Sequence, residues 1–254
     1  MKDWPRTDFH IHATRYRLGE PREEMSAAAI VRRCEEHALS AIGIVEHLNR
    51  SPKHPLECMD ALAEEFVTVS SDLSLFLGVE VDIEDENGTV TASSETVERL
   101  GLHFVLAAVH GLNARLATID EYIEHYHRAL MAAVERVDFV DVIVHPWTAR
   151  QPLARQGIPD ECPFGRIPEP RLLEFAEALA DRDKAVEINR KAHKDFGDPA
   201  YRSFLTALRD RGVRIALGSD AHRMDAIGTT FAADRFLQEI GFPPEQIWRP
   251  EERL

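Results

Sequence analysis

Cysteine is scarce: Cys34, Cys58 and Cys162 are the three in 254 residues. An odd number so widely spaced, with no Cys-x-x-Cys pair, speaks against a disulfide framework and against a thiolate zinc site. Basic residues are also short, 30 against 44 acidic ones, which gives a formal charge of −14. No block of Lys or Arg reverses that sign locally, so neither a nucleic acid nor an anionic membrane is an expected partner. No apolar run approaches the roughly 18–20 residues of a membrane helix, and the N-terminus lacks a charged segment followed by an apolar core. A cytoplasmic location is the expectation that follows.

What is present is an ordinary soluble composition, 44% hydrophobic and 29% charged, with enough chain for a sizeable core. Short β-branched apolar runs at 8–13, 41–47, 75–83, 104–110, 140–146, 184–190 and 213–220 alternate with longer stretches whose apolar residues recur at three and four. The latter predict helices over 22–39, 56–70, 119–136, 171–181, 199–211 and 230–240. Strand followed by helix, repeated, predicts a parallel sheet covered by helices, here a single α/β barrel domain over 1–254. Asp85-Glu86-Asn87-Gly88 has hairpin-turn chemistry and predicts a short antiparallel excursion after the third strand. The stretch 151–170 is rich in proline and predicts a long ordered loop directly after His145-Pro146.

Six of the twelve histidines fall in or just past the C-terminal half of a strand-like run: His10, His12, His47, His110, His145 and His222. Glu46, Glu80, Glu187 and Asp220 fall in the same places. In a parallel barrel all C-terminal strand ends meet at one mouth, so these groups converge although they are far apart in the chain. Burying them together without a cation would strand several polar groups, at roughly 1–3 kcal/mol each. His10/His12, Glu187/Asn189 and Asp220/His222 are i, i+2 pairs that share a face of an extended chain, with Asp8 expected on the face of His10 and His12. Glu80, with two carboxylate oxygens, is the candidate bridge between two cations. His37, His54, His103, His125 and His127 read as surface or packing residues, while His193 is undecided.

The order His10-x-His12, Glu46-His47, Glu80, His110, His145, Glu187-x-Asn189, Asp220-x-His222 resembles the polymerase-and-histidinol-phosphatase (PHP) family over nearly the whole chain. The resemblance implies a distorted barrel of seven β/α units with two or three divalent ions, zinc, manganese or iron, at its C-terminal mouth. It further implies His10, His12, Glu80 and Asp220 around a first ion, and Glu80, His110 and His145 around a second. His47 and His222 would serve a third ion together with an Asp or His soon after the first motif. The segment from Ala13 to Glu20 has no Asp or His, which favours two ions and leaves His47 and His222 for other work, with Glu20 the one carboxylate in reach.

Two ions bridged by Glu80 suit hydrolysis of a phosphate ester, with a small phosphomonoester the expected substrate and histidinol phosphate the one that the family resemblance suggests first. Glu80, His47 and His222 are the expected catalytic groups, the histidines as proton donors to the leaving oxygen. Arg15, Arg17, Arg150, Arg190 and Asn189 are the candidates to hold phosphate. Two other readings remain open. An amidohydrolase-like enzyme acting on amides or lactones would bridge its metals through a carboxylated lysine, for which Lys184 and Lys191 are poorly placed. A barrel that binds metal without catalysis would hydrolyse nothing.

Overall fold

A computed structural model describes residues 4–19, 21–111, 116, 118–147 and 164–250. Its strands are β1 (Thr7–His12), β2 (Ala41–Val45), β3 (His47–Leu48), β4 (Ser74–Asp82), β5 (Phe104–Ala108), β6 (Val142–Ile143), β7 (Ala185–Asn189) and β8 (Ile215–Gly218). All pair in parallel, in the order β1-β2-β4-β5-β6-β7-β8 with β3 against β4. The expected second strand is thus broken at Glu46 into β2 and β3. The sheet curls until the chain after β8 meets β1: His12 N donates to Ala221 O at 2.9 Å and Ala221 N to His10 O at 3.3 Å. At the opposite end Trp248 N donates to Ile215 O at 2.8 Å, so the C-terminal segment lies alongside β8. The result is the distorted, helix-covered barrel that the strand–helix alternation predicts.

The covering helices are α1 (Ala27–Glu36), α2 (Leu56–Phe66), α3 (Ser94–Arg99), α4 (Ile119–Arg136), α5 (Glu169–Asp181), α6 (Pro199–Asp210) and α7 (Phe231–Glu239). None is long and apolar enough to cross a membrane. Helix α1 is shorter than its apolar pattern suggests, because Ser26 stops it: the hydroxyl caps Ala29 N at 3.3 Å, and Glu23–Met25 form a separate turn. Helix α3, capped by Ser93, is too short for a periodic signal, so the sequence pattern passes over it. The predicted antiparallel excursion is present as a tight turn, with Glu84 N donating to Thr89 O at 2.8 Å and Ile83 bridging Val90.

Alternation along β4 shows how the two sides of the sheet divide the work. Leu77, Val79 and Val81 face the helices, while Gly78 and Glu80 face the barrel axis. Next to Gly78 lies the ring of Phe104, so close that a Cβ at Gly78 would stand 2.4 Å from it. Phe104 packs edge-on against Phe9 at 6.4 Å and Trp248 at 5.8 Å. These rings fill the barrel interior and form a dry floor beneath Glu80.

In β1 the register with β2 shifts between Asp8 and Ile11. Phe9 consequently points to the floor, whereas His10 and His12 face the mouth and Ile11 the helices. Asp8 does not share the histidines' face as simple alternation predicts; its Oδ1 instead accepts from Ser219 N at 2.9 Å and from His10 N at 3.3 Å, pinning β1 to the end of β8.

Truncating the floor tests this arrangement. Phe104→Ala should cost about 3–5 kcal/mol, and Gly78→Ala about 1–3 kcal/mol through overpacking, both measured by urea unfolding of chelator-treated protein. A negligible loss for both variants would refute the dry floor.

Candidate metal centre

The strand ends deliver their polar side chains to one place. His10 Nε2 and His12 Nε2 stand 3.0 Å apart and point at the same spot, with Asp220 Oδ1 at 3.9 and 3.6 Å from them and Glu80 Oε2 at 3.4 and 3.3 Å. The other Glu80 oxygen, Oε1, faces a second group: His145 Nε2 at 3.0 Å and His110 Nε2 at 3.3 Å. Glu80 therefore has one oxygen toward each cluster, a division that only a carboxylate in the middle can make. His47 Nδ1 reaches Glu80 Oε2 at 2.9 Å, and the His222 ring packs on His12 at 4.1 Å between centroids. His12, His47 and His222 bring one nitrogen each within a metal-sized space.

The donor set fits divalent cations. It consists of imidazole and carboxylate without thiolate, which suits zinc, manganese and iron. Glu80 Oε2, His12 Nδ1 and His47 Nδ1 are buried and take no well-directed hydrogen bond. Asp220 (φ 52°) and His145 (φ 34°) hold left-handed backbone conformations, which are uncommon for residues with a Cβ and collect at functional sites.

Behind these side chains stands a layer of carboxylates. Glu187 Oε1 accepts from His10 Nδ1 at 2.6 Å, Asp82 Oδ1 from His110 Nδ1 at 2.7 Å, and Glu46 Oε1 lies 3.5 Å from His12 Nδ1. His10 and His110 thus turn a hydrogen-bonded Nδ1 to a carboxylate and Nε2 to the centre, the arrangement that fixes tautomer and ring orientation in metal sites. Glu187 is itself fixed by His145 N and Asn189 Nδ2, both donating to Oε2 at 3.0 Å. It also rests against Gly218, where a Cβ would come within 2.6 Å of the His10 Cβ.

Charge balance shapes the protonation of the cluster. Burial works against charge on His10, His12 and His110, but the carboxylates prevail: His12 is raised to about 9 by the neighbouring Asp220, Glu46 and Glu80, His110 to about 10 by Glu80 and Asp82, and His10 well above its ordinary value by Glu187 and Glu80. Conversely, the surrounding imidazoles hold Glu80 and Asp220 well below the usual carboxylate range despite their burial. His47 and His222 go the other way, pushed down by burial and by the charge of neighbouring His12.

Not every residue expected to hold phosphate is free at the mouth. Arg17 forms a bidentate pair with the buried Glu46, Nε to Oε2 at 2.9 Å and Nη2 to Oε1 at 2.8 Å. Arg15 pairs with Glu23 at 3.4 Å on the exposed flank. Asn189 is buried, with its amide engaged by Glu187 and its Oδ1 by Lys191 N at 2.9 Å. Arg190 is exposed beyond β7. Arg150 and Glu20, and with them most of the loop after Pro146, lie outside the described residues.

Three groups at the site were not expected there from sequence. Asp82 sits at i+2 from Glu80 on β4, so the same spacing that pairs His10 with His12 identifies it. His54, expected at the surface or in packing, is 9% exposed with its ring 5.0 Å from that of His47. Lys191 Nζ is ion-paired to Asp220 Oδ2. No spacing rule finds either of these last two, because both lie in segments after strand ends.

No family model matches the chain. It is similar to a protein named probable phosphatase from Caldicellulosiruptor bescii, 24% identical over 223 residues, covering 86% of this chain and 82% of that one. A probable phosphatase of Edwardsiella ictaluri is 26% identical over 178 residues, 69% of this chain but 63% of the relative. The chain thus groups with proteins named as phosphatases. Among solved structures it resembles a histidinol phosphate phosphatase from Lactococcus lactis in complex with zinc, L-histidinol and phosphate, with a TM-score of 0.64, 20% identity and 95% of both chains covered. It also resembles a probable 2-pyrone-4,6-dicarboxylic acid hydrolase from Acinetobacter baumannii, with a TM-score of 0.52, 12% identity, and 94% and 93% of the two chains covered. At such identities the two structures establish a shared barrel.

The raised histidines give a pH dependence with a definite sign. In metal-free protein, groups lifted from 6.5 to about 9 (His12) and about 10 (His110) contribute stability that is complete below pH 6.5 and lost as pH rises through those values. Metal binding needs the neutral rings, so it gains affinity over the same interval. Chelator-treated protein should therefore melt at lower temperature as pH is raised from 7 to 10, while the affinity for added zinc or manganese climbs. A metal affinity independent of pH in that range would contradict the charge balance described.

Proposed function

We propose that the protein is a metal-dependent phosphoesterase that hydrolyses small phosphomonoesters, with histidinol phosphate the first compound to try. The observation that carries this reading is the placement of Glu80, whose two oxygens face separate histidine groups 3.0–3.4 Å away. The names of the relatives support the same chemistry. His10, His12, Glu80 and Asp220 would hold one divalent ion, and Glu80, His110 and His145 a second. A bridged pair of divalent ions supplies a water acidic enough to ionise near neutral pH and positive charge for the phosphoryl oxygens.

The chain's own residues do the rest. Glu187 and Asp82 hold the imidazoles of His10 and His110 in one tautomer and one direction, and Glu46 lies 3.5 Å behind that of His12. Arg17 is bound to Glu46 and acts on the site through that carboxylate. In the metal-free site, burial and the charge of His12 push both His47 and His222 down from their ordinary value. A neutral imidazole accepts a proton or a metal ion. With one nitrogen each beside His12 in a metal-sized space, His47 and His222 would serve as further ligands or in proton transfer to the leaving oxygen. The aromatic floor at Phe104 lies below Glu80, which leaves the mouth as the side from which substrate would approach.

The amidohydrolase reading loses its bridging lysine in this geometry. Lys184 is buried at the far end of β7, donating to the carbonyls of Val137, Asp138 and Val140 at 2.8, 3.3 and 2.6 Å. Lys191 is ion-paired to the outer oxygen of Asp220.

Metal analysis of the purified protein combined with a panel of phosphomonoesters, phosphodiesters, amides and lactones tests the proposal. Two ions per chain and turnover confined to phosphomonoesters are expected. Glu80→Ala should remove most of the bound metal and lower kcat/KM by at least about 10³, roughly 4 kcal/mol; a variant retaining metal and turnover would refute the bridging role. Glu187→Gln keeps the size of the side chain and removes its charge, and should weaken metal affinity about 10–100-fold.

A further inference from the structure

We propose that Lys191 is the residue that binds the phosphoryl group of the substrate at the mouth of the barrel. This rests on the phosphoesterase reading above, but it arises from a different part of the structure. Strand β7 ends at Asn189, and its side chain does two things there: Nδ2 donates to Glu187 Oε2 at 3.0 Å, and Oδ1 accepts from Lys191 N at 2.9 Å. One buried amide thus fixes both the carboxylate that orients His10 and the backbone from which Lys191 projects. The turn Arg190–Asp195 that begins there carries the lysine over the rim.

The side chain is half exposed, while its partner Asp220 is buried. Asp220 turns Oδ1 inward to His12 and His10, and Oδ2 outward to Lys191 Nζ. The ammonium therefore stands on the solvent side of the proposed cation position, within the field of Glu80 and Glu187 as well. Cations held between Asp220, His10, His12 and Glu80 would share the charge of that carboxylate and weaken its hold on Lys191. A lysine head on a flexible four-carbon stem can then turn to an incoming oxygen anion without moving the backbone. Arg17 cannot make that move, since both of its interacting nitrogens are bound to Glu46 beneath the mouth. Arg15 is directed to Glu23. The ligand this arrangement suits is a phosphate dianion whose organic part projects to solvent, and inorganic phosphate as the product.

The test uses full-length protein loaded with manganese or zinc, in wild-type, Lys191→Ala and Lys191→Arg forms. Three quantities are read: metal ions per chain, the Kd of inorganic phosphate by calorimetry, and KM and kcat on a phosphomonoester. For Lys191→Ala we expect an unchanged metal count, phosphate binding weakened about tenfold, KM raised by a similar factor with kcat changed less than about threefold, and partial recovery in Lys191→Arg. Unchanged phosphate affinity and KM would overturn the proposal. So would loss of metal from Lys191→Ala, which would assign the lysine to holding Asp220 in place. The two proposals can fail separately. If wild-type protein binds phosphate in a Lys191-dependent way yet hydrolyses no ester, the phosphoesterase reading falls and the anion site stands; if ester is hydrolysed equally well by Lys191→Ala, the reverse holds.

Discussion

A carboxylate buried on the axis of a barrel is the constraint on which the rest of this structure depends. Glu80 is fully buried, and an ionised carboxylate out of water costs several kcal/mol unless positive charge is brought to it. Four strand ends near it answer that need with an imidazole: His10 and His12 from β1, His47 from β3, His110 after β5 and His145 after β6. Protons can supply the charge, and so can divalent cations. The same groups cannot carry both, which makes the acid–base state of the cluster and its metal occupancy a single equilibrium.

The second layer follows from the first. An imidazole that presents Nε2 to the centre leaves Nδ1–H facing the protein, where an unmatched donor is expensive. Glu187 and Asp82 accept those protons for His10 and His110. Glu46 takes the corresponding place behind His12 and brings a further buried negative charge, which Arg17 neutralises with a bidentate pair. The presence of a guanidinium near the first motif is thus explained by burial of Glu46, one residue before His47, and needs no direct contact with substrate. His54 closes the same pocket from the loop before α2, 3.7 Å from Glu46 Oε1.

Much of this was legible in the sequence, and for identifiable reasons. Alternation of period two against period 3.6 marks strands and helices wherever the element is long, so the β/α order emerges without the structure. Ligand-type residues at the ends of separate strands converge by topology alone, and His10, His12, Glu80, His110, His145 and Asp220 are found together on that ground. What stayed hidden depends on local departures from regularity. The register shift in β1 separates Asp8 from the face of His10 and His12. Pairing decides whether Arg17 and Asn189 are available to a ligand, and pairing is a three-dimensional fact: Glu46 is 29 residues from Arg17 in the chain. Lys191 and His54 lie in turns, where neither period applies.

The opposition between the charge of the whole chain and that of its mouth has a consequence for substrate size. Two divalent ions, if the mouth holds the proposed pair, would contribute +4 against the 2 removed by Glu80 and Asp220, a positive spot on a protein of formal charge −14. At physiological ionic strength, screening confines each field to about 8 Å. A small phosphate dianion entering the mouth lies inside the range of the positive spot and largely outside that of the acidic surface. A polyanion long enough to cross that surface meets both, and repulsion accumulates with every phosphate beyond the first. Recognition built in this way would favour a single phosphate on a small alcohol over a nucleic acid end, on the ground of charge alone. Selectivity for the organic part must then arise from whatever walls surround the rim, a separate matter from the charge that captures the phosphate.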